Sequence, residues 1–243
     1  LFVVNPWVEA FLAGPRARLD FLSYHRYSCD PADLTQAYAQ MRQWQAAAGA
    51  SQVPLVLEEF GLGTGTNPPC AGRTLSDEAG SNFQGTFVAT SLIDLFGAGL
   101  RDAYYWDDDA WDTNQNDLVR FDREVLATCG TAGACPINEF LSFTLRELTP
   151  LQQVLQVFAR LFQTVVNATS DQPDVHVLAT KSGDGQQMAL VLSNFAATAK
   201  SAGVTITDLP AGAYEVSEYA VANRTISLGS GVVFDGDAAL WDD

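Results

Sequence analysis

The sequence predicts an α/β unit followed by an all-β unit, with the change near residue 170. In the first unit, strand-like runs at 19–27, 53–60 and 100–106 alternate with helix-like segments, which is the spacing of βαβ units in a parallel sheet. Polar side chains gather where each of these runs ends. After residue 170 the apolar pattern changes from a helical period to alternation. We therefore expect domains at 1–170 and 171–243.

Composition and charge limit the functions open to the chain. Its 243 residues are 47% hydrophobic, which is enough to bury a core. No apolar stretch approaches the ~18 residues that a membrane-spanning helix needs, so we expect no membrane span. The net charge is −16, from 13 basic and 29 acidic residues. Because nucleic-acid binding requires clustered Lys and Arg, it is disfavoured, and a neutral ligand fits better.

The first strand and helix have recognisable start and stop signals. Residues 1–18 are a short lead-in with a predicted helix from Pro6 to Leu12. The aromatic-rich run 19–27 predicts a strand. Asp30-Pro31 then combines an N-cap acid with proline at the first helical position. A helix with a mostly apolar face is expected from there to Gly49, which suits a C-cap.

The second strand carries the main site signal. Val53 to Gly61 is a short apolar run that ends in Glu58 and Glu59, the pattern of a buried parallel strand with polar groups at its carboxyl end. An α/β barrel places its catalytic residues at that end, although acidic residues also occur where a strand simply ends in solvent. Successive side chains point to opposite faces of a strand, so only one carboxylate is expected in the site. The other is expected to be paired or solvated behind the strand.

A Gly- and Pro-rich loop and a helix connect the second strand to the third. The loop covers residues 61–73 and is long enough to bind a ligand over the strand end. A helix is expected over 83–96, ending at Gly97-Ala98-Gly99. The third strand runs from Leu100 to Trp106 and is followed by three aspartates.

The end of the first unit is expected to be irregular and then helical. Residues 107–137 predict an irregular stretch. Helix starts are expected at Asn138 and at Thr149-Pro150. The second of these opens an apolar stripe that reaches Val165.

The second unit is predicted to be a small antiparallel β-sandwich, because short alternating runs are separated by Gly-, Asp- and Pro-containing turns. The runs cover 175–180, 188–195, 204–209, 214–221 and 232–234. His176 lies alone among them and is interpreted as structural.

Four cysteines in loop-like contexts favour an oxidising compartment. Cys29 follows the first strand and Cys70 lies in the loop after the second, so the two could form a disulfide if these strands are neighbours. Cys129 and Cys135 are close in sequence and would close a small loop.

Two N-x-[ST] sequons, at Asn167 and Asn223, point the same way. With the cysteines and an isoelectric point of about 4.2, they predict a secreted glycoprotein. The sequence starts at Leu1 without the basic region of a signal peptide, so we expect a processed chain or a part of something longer.

Three strand ends resemble those of a known enzyme class. Ser23-x-His25-x-Tyr27, Leu57-Glu58-Glu59-Phe60-Gly61 and Tyr104-Tyr105-Trp106 resemble the ends of strands six, seven and eight of the (β/α)8 glycoside hydrolases. The likeness is greatest to the β-xylosidase and α-L-iduronidase type, in which a small β-sandwich follows the barrel. The resemblance covers most of the chain in order. It implies an α/β plus all-β fold, a partial TIM (β/α)8 barrel of about strands 6 to 8 and a small antiparallel β-sandwich.

The resemblance also implies roles for individual residues. Glu59 resembles the nucleophile, which directly precedes an aromatic residue in that family, and Tyr27 resembles the tyrosine that hydrogen-bonds it. His25 resembles a sugar-hydroxyl ligand, and Trp106 the aromatic floor of the sugar subsite; Trp111 is a second candidate for sugar binding. The implied reaction is retaining hydrolysis of an O-glycosidic bond in a polysaccharide or glycoconjugate. That chemistry needs two carboxyls about 5 Å apart and no cofactor.

The chain departs from the family pattern in one important respect. The acid/base glutamate of the family lies at the end of strand four, typically in an Asn-Glu pair, whereas this chain corresponds to the later strands. Its only Asn-Glu pair, Asn138-Glu139, is interpreted as a helix cap. Three strands cannot close a barrel, so we expect another polypeptide segment to complete it.

Several alternatives remain open. Glu58 is the second candidate nucleophile, His25 could be a core histidine, and both tryptophans could be core residues. Asp112-x-Asn114-x-Asn116 has the alternating oxygens of a calcium loop, but it lacks the following glycine and the final glutamate, so no metal is expected. The alternative function is a non-catalytic structural or carbohydrate-binding extracellular glycoprotein built on a glycosidase-like fold. An unrelated enzyme on a similar barrel is a third possibility.

Overall fold

A computed structural model gives the structure of the protein. It describes residues 6–14, 19–63, 82–105, 119–128, 139–148, 150–196, 198–209, 212–216, 221, 232–234 and 239–241. The fold is mixed α/β, with one parallel sheet and several antiparallel ones.

The first half of the chain alternates helices and strands, as expected. The elements are α1 (Pro6–Ala13), β1 (Leu22–Tyr27), α2 (Pro31–Ala47), β2 (Leu55–Gly61), α3 (Asn82–Gly97) and β3 (Asp102–Tyr105). The strands β1, β2 and β3 form a parallel sheet in that order. The carboxyl ends of all three strands therefore lie at the same end of the sheet.

The start of α2 follows from the sequence signal that predicts it. Asp30 is in an extended conformation and its side chain accepts a hydrogen bond from the backbone N–H of Ala32. Pro31 occupies the first helical turn, where a missing N–H has no cost. The helix ends at Ala47, and Gly49 then turns the chain with φ +64°, a conformation that favours glycine.

The core lies between the parallel sheet and its helices. Leu57 and Phe60 of β2, Leu34 of α2, and Phe87 and Leu95 of α3 are fully buried. Ten residues of α3 are buried, spread around most of its circumference, as expected for a helix covered on several sides. This core holds the middle strand, β2, rigidly in place.

The remaining elements are mostly antiparallel. They are β4 (Val119–Thr128), β5 (Glu139–Leu148), α4 (Pro150–Phe158), β6 (Thr164–Val166), β7 (Val175–Lys181), β8 (Met188–Asn194), β9 (Val204–Ile206), β10 (Gly212–Tyr214), β11 (Val232–Phe234) and β12 (Ala239–Trp241). The pairings are β4 with β5, β6 with β7 and β8, β9 with β12, and β10 with β11. The β-rich character of the second unit is as predicted, whereas its packing as a sandwich, the domain boundary near residue 170 and the partial barrel stay predictions.

Two sequence interpretations in the middle of the chain are wrong. Residues 119–128, expected to be irregular, form β4, and Glu139, expected at a helix start, is the first residue of β5. The reason lies in the alternation of Leu141, Phe143 and Leu145 with small polar residues, which suits a strand better than a helix.

The helix that starts at Pro150 is shorter than its apolar stripe suggests. It ends at Phe158, and Thr164–Val166 forms β6, which pairs with β7. Three β-branched residues in succession, Thr164 to Val166, favour the extended backbone over a continued helix.

The helix α3 also packs against β7 and β8. Thr90 and Ser193, both buried, share a hydrogen bond of 2.7 Å between their hydroxyls. Asp94 Oδ1 lies 2.7 Å from His176 Nδ1, in keeping with a structural role for that histidine. Polar contacts therefore tie the parallel-sheet region to the β-rich region.

Tyr24 of β1 is a buried polar residue whose hydroxyl has no hydrogen-bond partner in the described part of the chain. Burial raises the pKa of Tyr24, and the neighbouring Tyr38 raises it further. The folded protein therefore keeps this phenol neutral at a pH where the unfolded chain would ionise it.

None of the helices in the described part of the chain is long and apolar enough to span a bilayer.

We expect Tyr24→Phe to stabilise the protein by about 1 kcal/mol at neutral pH, because a buried hydroxyl without a partner loses its hydration and gains nothing. The wild type should also lose stability as the pH rises above about 10, since the raised pKa means that only the unfolded chain releases the proton. The variant should lose less. Urea unfolding at neutral and alkaline pH measures both effects, with Tyr104→Phe, at an exposed position, as the control. An identical alkaline response in wild type and Tyr24→Phe would contradict this.

We expect Thr90→Val to lower the free energy of unfolding by about 1–3 kcal/mol, because the Ser193 hydroxyl is left buried and unpaired. The double variant Thr90→Val/Ser193→Ala should recover part of that loss. A double-mutant cycle measured by chemical denaturation tests the pair. Simple additivity of the two single changes would show that the hydrogen bond does not couple them.

Candidate active site

The central feature of the site is one extra residue in β2. Against β1, Tyr24 pairs with Leu57 and the next residue, His25, pairs with Glu59, so Glu58 has no partner in that ladder. Against β3, the register shifts over the same segment, between Leu57 and Phe60. This is a β-bulge, which bends a strand and re-aims its side chains.

The bulge overturns one sequence-based expectation. Strict alternation predicts that Glu58 and Glu59 face opposite sides of the strand, which is wrong here. Glu59 Oε2 lies 2.9 Å from His25 Nδ1, and Glu58 Oε2 lies 3.7 Å from His25 Nε2. Both carboxylates therefore reach the same imidazole ring.

Glu59 is the more enclosed and better anchored of the two carboxylates. Its side chain is 20% exposed, against 57% for Glu58. Tyr27 Oη donates a hydrogen bond of 3.0 Å to Glu59 Oε2, the same oxygen that faces His25 Nδ1. Oε1 takes part in neither of these two contacts.

Gly61 leaves room for the aromatic rings beside Glu59. It stands opposite Tyr27 in the register of β1 and β2. A Cβ at this position would lie 3.4 Å from Tyr27 Cε1 and 3.6 Å from Tyr105 Cε2. A Cβ would therefore just touch both rings, and the space beyond it is occupied by them.

Tyr105 at the end of β3 is itself held in place. Gln84 Nε2 of α3 donates a 2.9 Å hydrogen bond to its hydroxyl, and its ring packs edge-on against Phe60 at 5.5 Å between centroids. Sequence reasoning noted this tyrosine only as part of a strand end. A buried glutamine in an apolar helix is the signal that points to such a partner.

The arginine next to His25 in the sequence pairs with an acid on α2. Arg26 lies between His25 and Tyr27 in β1, and its guanidinium pairs with Asp33 of α2. The alternation of side chains along β1 explains this direction. The described site is therefore acidic, with one imidazole between two carboxylates.

The structure brings together three of the sequence-predicted site residues, His25, Tyr27 and Glu59, and adds Glu58. Trp106 and Trp111, the expected sugar platforms, lie outside the described residues. The catalytic and binding roles of all these residues stay predictions.

The predicted disulfides and glycosylation sites are only partly within the described residues. Cys29 is buried and disulfide-bonded. Its pairing with Cys70 stays a prediction, because Cys70, Cys129 and Cys135 lie outside the described residues, as does Asn223. Asn167 is exposed directly after β6, where a glycan would meet no obstruction from burial.

No cluster of three or more His, Cys, Asp or Glu side chains suited to a metal ion occurs among the residues that the structure describes.

Comparison with known proteins shows a likeness at the level of structure. No protein-family model matches the sequence, and no curated protein matches it. A solved arabinofuranosidase aligns with a TM-score of 0.53 at 13% identity, over 84% of this chain and 43% of its own. The chain has a glycosidase-like fold. A glucosidase from Croceicoccus marinus aligns with a TM-score of 0.49 at 19% identity, over 79% of this chain and 37% of its own. The chain thus spans less than half the length of these two relatives.

Proposed function

We propose that this chain is the C-terminal portion of a secreted retaining glycoside hydrolase that acts on O-glycosidic bonds of a polysaccharide or glycoconjugate. The observation that carries the proposal is the group formed by Glu59, Tyr27 and His25 at the carboxyl ends of adjacent parallel strands. In α/β barrels, the catalytic residues lie at the carboxyl ends of the parallel strands.

Glu59 has the features that a glycosidase nucleophile needs. Tyr27 and His25 both contact Oε2, which restricts rotation of the carboxylate and leaves Oε1 as the oxygen proposed to attack. In the proposed reaction, Oε1 attacks the anomeric carbon while the bond to the leaving oxygen breaks. Water then hydrolyses the covalent glycosyl-enzyme and releases the sugar with its original anomeric configuration.

The second carboxyl of this mechanism must come from elsewhere. Glu58 is the nearest candidate among the described residues, but it lies beside Glu59 on the same strand and shares its imidazole. An acid/base has to protonate the leaving oxygen from a different direction. We therefore place that role outside the described residues and propose that a polypeptide segment that completes the barrel supplies it.

Two observations support a missing segment. The chain covers 37% and 43% of the two glycosidase structures it resembles. Within the described sheet, β1 and β3 each have one neighbouring strand, so each presents an edge to a further strand. Edge pairing by such a segment would complete a (β/α)8 barrel and place its acid opposite Glu59.

Charge favours an uncharged sugar as the substrate. Two carboxylates line the described site, Arg26 is paired with Asp33 away from it, and the chain carries a net charge of −16. A carboxylate-bearing sugar would be repelled. Trp106 and Trp111 are proposed to stack against the sugar faces.

The alternative is a non-catalytic extracellular protein that uses this fold for structure or carbohydrate binding. The observation that favours it is the lack, among the described residues, of a second carboxyl placed across from Glu59. The two functions differ in one measurable respect, which is whether Glu59 becomes covalently attached to a sugar.

We expect Glu59→Gln to lower kcat on aryl glycosides by at least about a thousandfold in the full-length protein, because the amide cannot act as nucleophile. Tyr27→Phe should lower it by about tenfold to a hundredfold, since one hydrogen bond to the carboxylate is lost. Steady-state kinetics on a panel of aryl glycosides measures both. Asp102→Asn, at the opposite end of the same sheet, is the control and should leave kcat unchanged.

A 2-deoxy-2-fluoroglycoside inactivator provides the direct test of the nucleophile. Mass spectrometry of the digested protein should find the sugar on the peptide that contains Glu59. Full activity in Glu59→Gln, or labelling of another residue, would overturn the assignment. Sugar binding without hydrolysis by the full-length wild type would favour the non-catalytic alternative.

A further inference from the structure

We infer that Glu58 is a positioning residue, which fixes the His25 imidazole so that Nδ1 stays directed at the Glu59 carboxylate. This inference rests on the proposed function of Glu59 for its kinetic consequence, while the contact itself does not depend on it. The structural observation is the Glu58–His25–Glu59 arrangement at the bulge of β2.

The bulge is what makes this arrangement possible. On a regular strand, Glu58 would point away from Glu59, and only one carboxylate could reach His25. The extra residue in β2 lets both side chains reach the same ring. A bulge disrupts the hydrogen-bond pairing between strands. Bulges nevertheless occur often beside active sites, where they redirect a side chain that the site uses.

His25 needs a second anchor. Its side chain is 50% exposed, and the terminal torsion of histidine has a broad, roughly two-fold profile. With Nδ1 held alone, a half-turn of the ring would place a carbon where the nitrogen faces Glu59. When both ring nitrogens carry protons, Glu58 Oε2, 3.7 Å from Nε2, is too far for a direct hydrogen bond but makes an electrostatic contact that opposes this rotation.

Movement of the His25 ring would change how firmly Glu59 is held. Tyr27 and His25 together hold Oε2, so loss of the imidazole contact leaves the carboxylate with a single anchor. Attack on the anomeric carbon requires a fixed approach, and a loosened nucleophile slows that step more than it weakens substrate binding. Glu58 therefore acts through His25 and has no contact of its own with the reacting atoms.

Three variants separate this role from its alternatives. Glu58→Ala removes the anchor and should lower kcat about tenfold with little change in KM. Glu58→Gln removes the charge but keeps an amide oxygen that can face Nε2, so its kcat should fall between those of wild type and Glu58→Ala. Asp102→Asn is the matched control, because it removes one exposed carboxylate at the other end of the sheet.

Each kinetic outcome decides between roles. Unchanged kcat in Glu58→Ala would show a solvated side chain with no positioning role. A loss of a thousandfold or more in Glu58→Gln would make Glu58 the nucleophile itself. Either result overturns the inference, and a circular-dichroism melt of each variant verifies that the fold is retained.

Nuclear magnetic resonance gives a readout that needs no activity. This sequence contains two histidines, His25 and His176, whose imidazole nitrogen signals at neutral pH are assigned with single His→Gln variants. Glu58→Ala should shift or broaden the His25 signals and leave those of His176, paired with Asp94, unchanged. Unchanged His25 signals would refute the contact. If the contact is present but the full-length protein hydrolyses no glycoside, the proposed function fails and the positioning of His25 stands.

Discussion

The hydrogen bond from Tyr27 to Glu59 exists because β1 and β2 are neighbouring parallel strands whose carboxyl ends lie side by side. Thirty-two positions separate these two residues in the sequence, and no local interaction could bring them together. The crossover through α2 does so, since its capped start at Asp30 and its buried apolar face set the return of the chain. The parallel pairing of β1 with β2 therefore determines which side chains meet at the site.

The bulge in β2 refines what the topology provides. Leu57 and Phe60, on either side of it, are fully buried and cannot shift without opening the core. The two glutamates between them absorb the extra residue and turn toward His25. The buried Leu57 and Phe60 thus fix the backbone on both sides of the bulge. This allows Glu58 and Glu59, which carry like charges, to lie near the same imidazole ring.

Sequence reasoning predicted much of this site and missed one essential detail. The Asp30-Pro31 cap, the apolar run into Glu59 and the alternate placement of His25 and Tyr27 in β1 all follow from local rules that the structure obeys. The placement of Glu58 does not follow from such rules. The two-residue alternation of a strand cannot predict a register shift that depends on the pairing with both neighbouring strands. The same limit applies to β4 and β5, whose pairing is a long-range event. It applies also to the end of α4, where β-branched residues override an apolar stripe.

The position of α3 has a further consequence for how the molecule holds together. One side of this helix packs against α2 and supports Tyr105 through Gln84. Another side meets β7 and β8 through Asp94 and Thr90, and Phe83 packs against Phe195 directly after β8. Removal of the β-rich segment would expose buried hydroxyls and apolar surface on the same helix that supports Tyr105 beside Glu59. The trailing strands therefore belong to the scaffold of the site, and the two regions should unfold as one cooperative unit.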